Sequence, residues 1–160
     1  MLTSNILLRN ADKFPNEPAL SIKDSNNNWQ TDSWDDLKKH VFKISKSLIH
    51  LGINPNDKIS IYSYNRKEWS YIYAATQRIR SVSVCVYHTC SPEEVNWIVS
   101  NSSSKIVVVG HNPSDNGEND RMPINRILPV LDSLKGVEKV VLMEDLEKVS
   151  HEKIITWNEF

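Results

Sequence analysis

Between Ser60 and Ser104 the chain reads SIYSYNRKEWSYIYAATQRIRSVSVCVYHTCSPEEVNWIVSNSSS, two apolar runs each followed by a helix-spaced stretch. This alternation constrains the fold more than any other feature. A strand that returns beside a parallel neighbour needs a crossover of about a dozen residues or more, and such crossovers are almost always right-handed. Strands alternating with helices therefore predict an α/β fold: a mostly parallel, doubly wound sheet with helices on both faces.

Local punctuation sets the predicted elements. The opening segment before Pro15 reads as a short helix. Ala19 to Lys23 and Trp29 to Thr31 are β-type runs separated by Asp24, Ser25 and three asparagines, which predicts a short hairpin ahead of the sheet. Trp34, Leu37, Val41, Ile44, Leu48 and Leu51 recur every three or four residues, one stripe of a helix of about five turns. Ser33 and Asp36 form a capping box at its start, and Gly52 followed by Pro55 ends it. Lys58 to Ser63 is a buried strand. Asn65 is placed to cap the next helix, with Glu68 reaching back to its amide.

Val82 to Tyr87 is the next strand, and Ser91-Pro92-Glu93-Glu94 opens another helix, with Trp97 and Ile98 expected to point inward. Lys105 to Val109 is a third parallel strand and Val137 to Met143 a fourth. Gly110 to Arg121 has no apolar period and reads as a mobile surface loop. Ile124 to Leu134 is helix-spaced, with a kink or a break expected at Pro129. Ile154 to Trp157 closes the chain as a β run, and Asn158 and Glu159 begin another helix.

A chain of 160 residues, 39% hydrophobic, can build one core and not two. Its formal charge of −1 gives no general attraction to nucleic acid, and no nucleic-acid partner is expected. Cys85 and Cys90 are too few for a zinc site or a disulfide framework, which fits a reducing, cytoplasmic setting. No window approaches the roughly 20 apolar residues of a transmembrane helix.

The motifs Phe14-Pro15-x-x-Pro18-Ala19-Leu20, Ser33-Trp34, Leu51-Gly52-Ile53-x-Pro55-x-Asp57, Asn65-Arg66-x-Glu68-Trp69 and Ser91-Pro92-Glu93-Glu94 resemble AMP-forming acyl-CoA synthetases near their N-terminus. Tyr87-x-Thr89-x-Ser91-Pro92-Glu93, the helix around Ile127 to Leu131 and Thr156-Trp157-x-Glu159-Phe160 look most like long-chain fatty acyl-CoA synthetases of the bubblegum type. The resemblance implies that residues 1–160 are an incomplete N-terminal portion of a larger adenylate-forming ligase domain. It also implies ATP, magnesium and coenzyme A for the full-length parent, which joins a fatty acid to coenzyme A through an acyl-adenylate. The remainder of the parent enzyme is then the expected partner, a homo-oligomer an open alternative, and peripheral attachment to an intracellular membrane an option for the parent.

The family's Ser/Thr/Gly-rich phosphate loop, its Tyr-Gly-x-Thr-Glu segment, its ribose-binding Asp and its C-terminal catalytic Lys have no counterpart in this sequence. Catalytic, cofactor-binding and metal-binding residues are therefore all assigned as none, the chain alone is expected to bind no cofactor, and it is expected to be inactive. Arg80 and Ser81 stand where the resemblance leads one to expect two glycines. In a doubly wound sheet ligands bind beyond the carboxyl ends of the strands, which directs attention to Tyr64–Arg66, Tyr87–Ser91 and the loop 111–116.

Each conspicuous residue has an ordinary structural role to weigh against a functional one. Trp69 on a helix against a sheet reads as a core anchor before an acyl-tunnel wall. Asn65 and Glu68 read as reciprocal caps before ligand contacts. His88 beside Cys90 could be a base and nucleophile, but no third group orients them. Lys38, Lys39, Lys43 and Lys46 read as a solvated face balanced by Asp35 and Asp36 before a lipid-binding one. Two functions stay open: the scaffold portion of a fatty acid ligase, or a non-catalytic stand-alone module, either a pseudoenzyme remnant or a dimerisation partner. A different adenylating ligase would change the substrate alone.

Overall fold

The computed structural model describes residues 4–24, 26–112, 122–144, 149 and 151–160. A short helix, α1 (Ser4–Lys13), precedes an antiparallel hairpin of β1 (Pro18–Lys23) and β2 (Trp29–Ser33). The hairpin turn is built by Asp24, whose Oδ1 accepts the backbone N–H groups of Asn26 and Asn28 at 2.9 Å each. Asn27 supplies the left-handed residue, with φ 65°, a conformation its short polar side chain tolerates.

Helix α2 (Trp34–His50) starts on the expected capping box. Ser33 Oγ accepts from the Asp36 amide at 3.2 Å, and Asp36 Oδ2 accepts from the Ser33 amide at 3.2 Å. Ser33→Ala removes one half of this exchange and is expected to cost about 1 kcal/mol, read as a lower midpoint of urea unfolding with an unchanged slope. Just past the helix end, Gly52 adopts φ +83°, the left-handed position that ends many helices.

The main sheet holds β3 (Lys58–Ser63), β4 (Val82–Val86), β5 (Ser104–Gly110), β6 (Lys139–Leu142) and β7 (Ile154–Thr156) in the order β4-β3-β5-β6-β7, every neighbouring pair parallel. Helix α3 (Lys67–Arg78) joins β3 to β4, and α4 (Pro92–Ser102) carries the chain back across β3 to β5. Side chains alternate across the strands, as the pleat requires. Ile59, Ile61, Ile106, Val108 and Val141 pack with α2 and α3 in one core. Tyr62, Val107, Val109, Val140 and Leu142 pack with α4 and α5 (Pro123–Ile127) in the other. The doubly wound α/β reading is therefore what the chain adopts.

Two local expectations need correction. Trp97 is 69% exposed: it lies two residues, more than half a helical turn, from the buried Val95 and so faces away from the core. Asn65 does not cap α3; the N-cap is Arg66, with no side-chain cap bond, and Glu68 pairs with Arg66 instead of a backbone amide. The stretch from Ile124 does break at Pro129: α5 ends at Ile127, and a 3-10 turn, Leu128–Ser133, carries Pro129 in its first turn. After β7 a first helical turn does begin, with the Phe160 amide donating to the Thr156 carbonyl at 3.1 Å. Thr156 and Glu159 exchange hydrogen bonds that close a single turn, from the Thr156 amide to Glu159 Oε2 at 2.7 Å and from the Glu159 amide to Thr156 Oγ1 at 3.4 Å. Most of the loop read as mobile, residues 113–121, lies outside the described residues.

The non-glycine pair at the start of β4 resolves into two roles. Arg80 takes φ 61°, a left-handed backbone that costs an L-residue roughly 1–2 kcal/mol. Ser81 is buried, its amide donating to the Thr76 carbonyl at 3.0 Å. The turn is held across to its neighbour, for the Asn56 amide donates to the Arg80 carbonyl and the Val82 amide to the Asp57 carbonyl, both at 2.8 Å. Arg80→Gly should therefore raise stability by about 0.5–1 kcal/mol once the greater freedom of unfolded glycine is deducted, measurable as a higher Tm.

Candidate functional site

The strand order reverses between β3 and β5, so the crevice that a doubly wound sheet offers opens where β3, β5 and β6 end. There the chain assembles a charged cluster. Arg66, whose side chain is only 10% exposed, donates from Nε to Glu68 Oε2 at 2.8 Å, from Nη1 to Glu144, and from Nη1 to the His111 carbonyl at 3.3 Å. His111 closes the ring, with Nδ1 3.0 Å from Glu144 Oε2 and its amide 3.4 Å from the same atom. Glu68 at the start of α3, His111 after β5 and Glu144 after β6 thus meet around one guanidinium.

The electrostatics follow from burial against pairing. Burial alone would raise the Glu68 carboxyl, but the hydrogen bond and charge of Arg66 outweigh it and hold it below the usual carboxylate range. Arg66 donates from Nε and Nη1 to two carboxylates and a carbonyl, so it clasps the strand ends together.

Next to the clasp, the Tyr64 ring stacks on His88 with centroids 3.8 Å apart, joining the ends of β3 and β4. Tyr62 Oη donates to the Cys90 carbonyl at 3.0 Å, and Arg126 Nη1 donates to the carbonyls of Thr89 and, at 2.9 Å, Cys90. Burial pushes the Tyr62 hydroxyl up to about 12. Burial, and next Glu94, also raises the Cys90 thiol, which keeps it protonated at neutral pH. His88 faces Tyr64, and among the described residues no hydrogen bond joins it to Cys90.

Among the described residues, no phosphate cradle of glycine amides is built. A Cβ added at Gly110, the glycine at the end of β5, would lie 2.5 Å from Met143 Sδ and 2.6 Å from Ser63 Oγ. The chain's own side chains fill the space that a phosphate would need. Gly52 and Gly136, which precede β3 and β6, lie toward the opposite end of the sheet. ATP phosphates therefore do not fit the described glycines.

Of the segments singled out from sequence, Tyr64–Arg66 and Tyr87–Ser91 do converge with His111 at one end of the sheet. Residues 113–116 of the third lie outside the described residues. Trp69 is half-buried against the first core and stacks on Tyr73 at 5.4 Å, the packing role expected of it. On the lysine-rich face, Lys39 pairs with Asp35 at 2.8 Å and Lys38 with Asp12 at 3.2 Å. Sequence reasoning missed Glu144 and Asp32. Glu144 carried a usable signal as the first charge after an apolar strand, which is where a carboxyl-end ligand belongs.

Comparison with known proteins agrees with this architecture. The chain is 24% identical over its full 160 residues to the long-chain-fatty-acid–CoA ligase ACSBG2 of Mus musculus, of which it covers 23%. It is 28% identical over 151 residues to 4-hydroxybutyrate–CoA ligase 2 of Metallosphaera sedula, covering 94% of this chain and 24% of that protein. An uncharacterized Mycobacterium tuberculosis protein is 27% identical over 122 residues, covering 76% of this chain and 68% of the other. The chain thus spans about a quarter of the two ligases and about two thirds of the mycobacterial protein. Crystalline coronafacic acid ligase from Pectobacterium brasiliense superposes with a TM-score of 0.82 at 22% identity, covering 99% of this chain and 29% of that one. The likeness establishes the same fold. Matched from residue 7 to residue 159, the chain belongs to the AMP-binding enzyme family.

Proposed function

We propose that this chain is the N-terminal scaffold of a fatty acid–CoA ligase, one that activates a long-chain acid with ATP and transfers the acyl group to coenzyme A. The observation that carries this reading is the full-length match to a quarter of a long-chain-fatty-acid–CoA ligase. The clasp around Arg66 supports it, because its groups bond to one another and tie the strand ends together, as a scaffold requires. On this reading, adenylation and thioester formation reside in segments that follow the scaffold, which would bring magnesium, ATP and coenzyme A to the carboxyl ends of the strands. The chain by itself carries no catalytic residue.

Two measurements test the proposal. Purified residues 1–160 should give no fatty-acid-dependent exchange of pyrophosphate into ATP, and measurable exchange would overturn the scaffold reading. The native protein, captured from its source cells with an antibody to this region, should have a mass several times 18.4 kDa. A mass of 18.4 kDa would favour a stand-alone, non-catalytic module. One observation favours that second reading: the mycobacterial relative is itself short, since 122 aligned residues make up 68% of it.

A further inference from the structure

A groove of about 520 Å³ lies at the amino ends of β3 and β4, the end of the sheet opposite the clasp. Its walls are the second half of α2, the end of α3 and the turns leading into the two strands. Three cations line it, Lys46, Arg78 and Arg80, with the apolar side chains of Phe42, Ile49 and Ile79 between them. No carboxylate is among the lining residues.

The three cations of the groove meet no carboxylate within it. Among the described residues Lys46, Arg78 and Arg80 have no carboxylate within salt-bridge distance, and the groove gathers these three side chains in one place. The Arg78 guanidinium is held over the Phe42 ring, 3.7 Å from its centroid, so one cation is already oriented. Arg80 is held in place at a cost. Its left-handed backbone would suit glycine without strain, and strained positions concentrate at functional sites. Ile49, 57% exposed, supplies apolar surface beside the charges.

We propose that this groove binds a phosphate-bearing amphiphile, with the phosphate on Lys46, Arg78 and Arg80 and the apolar tail along Phe42, Ile49 and Ile79. A phosphate fits better than a carboxylate because it carries close to two negative charges and three acceptor oxygens, enough for three separate cations, whereas one guanidinium fork satisfies a carboxylate. The proposal does not depend on the ligase reading, since it concerns the other end of the sheet and asks nothing of the catalytic segments.

The test is calorimetric titration of residues 1–160 with dodecyl phosphate below its micelle concentration, set against inorganic phosphate and dodecyl maltoside. Vesicles of phosphatidylcholine with and without phosphatidic acid form a separate arm. Dodecyl phosphate should bind more tightly than either half-ligand. Arg80→Gly and Lys46→Gln should each weaken it about tenfold, the scale of one charge-assisted hydrogen bond. Arg80→Gly should do so while raising Tm, a combination that a merely structural role for Arg80 would not produce. Unchanged affinity in Arg80→Gly, or equal affinity for inorganic phosphate or the maltoside, would overturn the proposal. Binding to phosphatidic acid vesicles with none to the monomer would also overturn it, in favour of a membrane surface.

Discussion

Arg66→Ala is expected to cost about 3–5 kcal/mol of folding stability, because it leaves the paired Glu68 and Glu144 carboxylates without their cation. Against a total of roughly 5–15 kcal/mol for a domain, a loss of that size leaves a protein that is marginal or unfolded at 37 °C. The cost lies in the orphaned charges and not in a large favourable energy of the cluster, since buried ion pairs repay little beyond their own desolvation. Arg66→Met with Glu68→Gln and Glu144→Gln should therefore recover much of the loss. Chemical unfolding of the single and triple variants checks this, and a triple variant as unstable as Arg66→Ala would show that the cluster contributes favourable energy of its own.

The same clasp sets an acid limb. Glu68 has a folded-state pKa below its ordinary 4.5, so its contribution is fully present above that value and is lost as the pH falls through the lower, folded one. Stability measured from pH 6 downward should fall less steeply in the triple variant than in the parent chain. An identical acid limb in the two would place the acid sensitivity in other carboxylates.

The sequence made the backbone order of this chain legible because its signals were local. Capping by Ser33 and Ser91, the left-handed Gly52 and the break at Pro129 each depend on residues within a turn of one another. The clasp was only partly legible. Arg66 and His111 lay in loops that topology brings together, but their shared partner Glu144 is 78 residues from Arg66, and no local rule joins them. Asn65 shows the complementary failure. Its spacing to Glu68 suits a capping box, yet Arg66 competes for the same carboxylate and wins with a charge-assisted bond. Trp97 failed on helical phase, which short amphipathic segments specify loosely when the apolar stripe holds two valines.

Asp32→Ala should be the second severe substitution, because it opens the latch between the hairpin and the body of the domain. Asp32 lies on β2, is 8% exposed, and accepts from Lys67 Nζ at 2.6 Å and from the Tyr71 hydroxyl, both on α3. The Tyr71 ring is in turn stacked on His40 of α2 at 4.5 Å, so one carboxylate ties three elements together. Its removal strands a buried hydroxyl and an ammonium, which should cost about 3–5 kcal/mol. A two-stranded hairpin is marginal alone, so the loss should appear first as local opening: amide protection of β1 and β2 should fall before that of β3 and β5. Asp32→Asn keeps an acceptor for both donors and should cost less. Burial, followed by the Asp32 hydrogen bond, raises the Tyr71 pKa well above its ordinary 10.0. Its contribution is therefore intact below pH 10 and is lost as the pH climbs from there toward the folded value. Tyr71→Phe should flatten that alkaline limb while Asp32→Ala lowers the whole curve. Equal protection of the hairpin and the central strands in Asp32→Ala would mean that the apolar contacts of Ala19 and Leu20 with the first core, and not the carboxylate, hold the hairpin down.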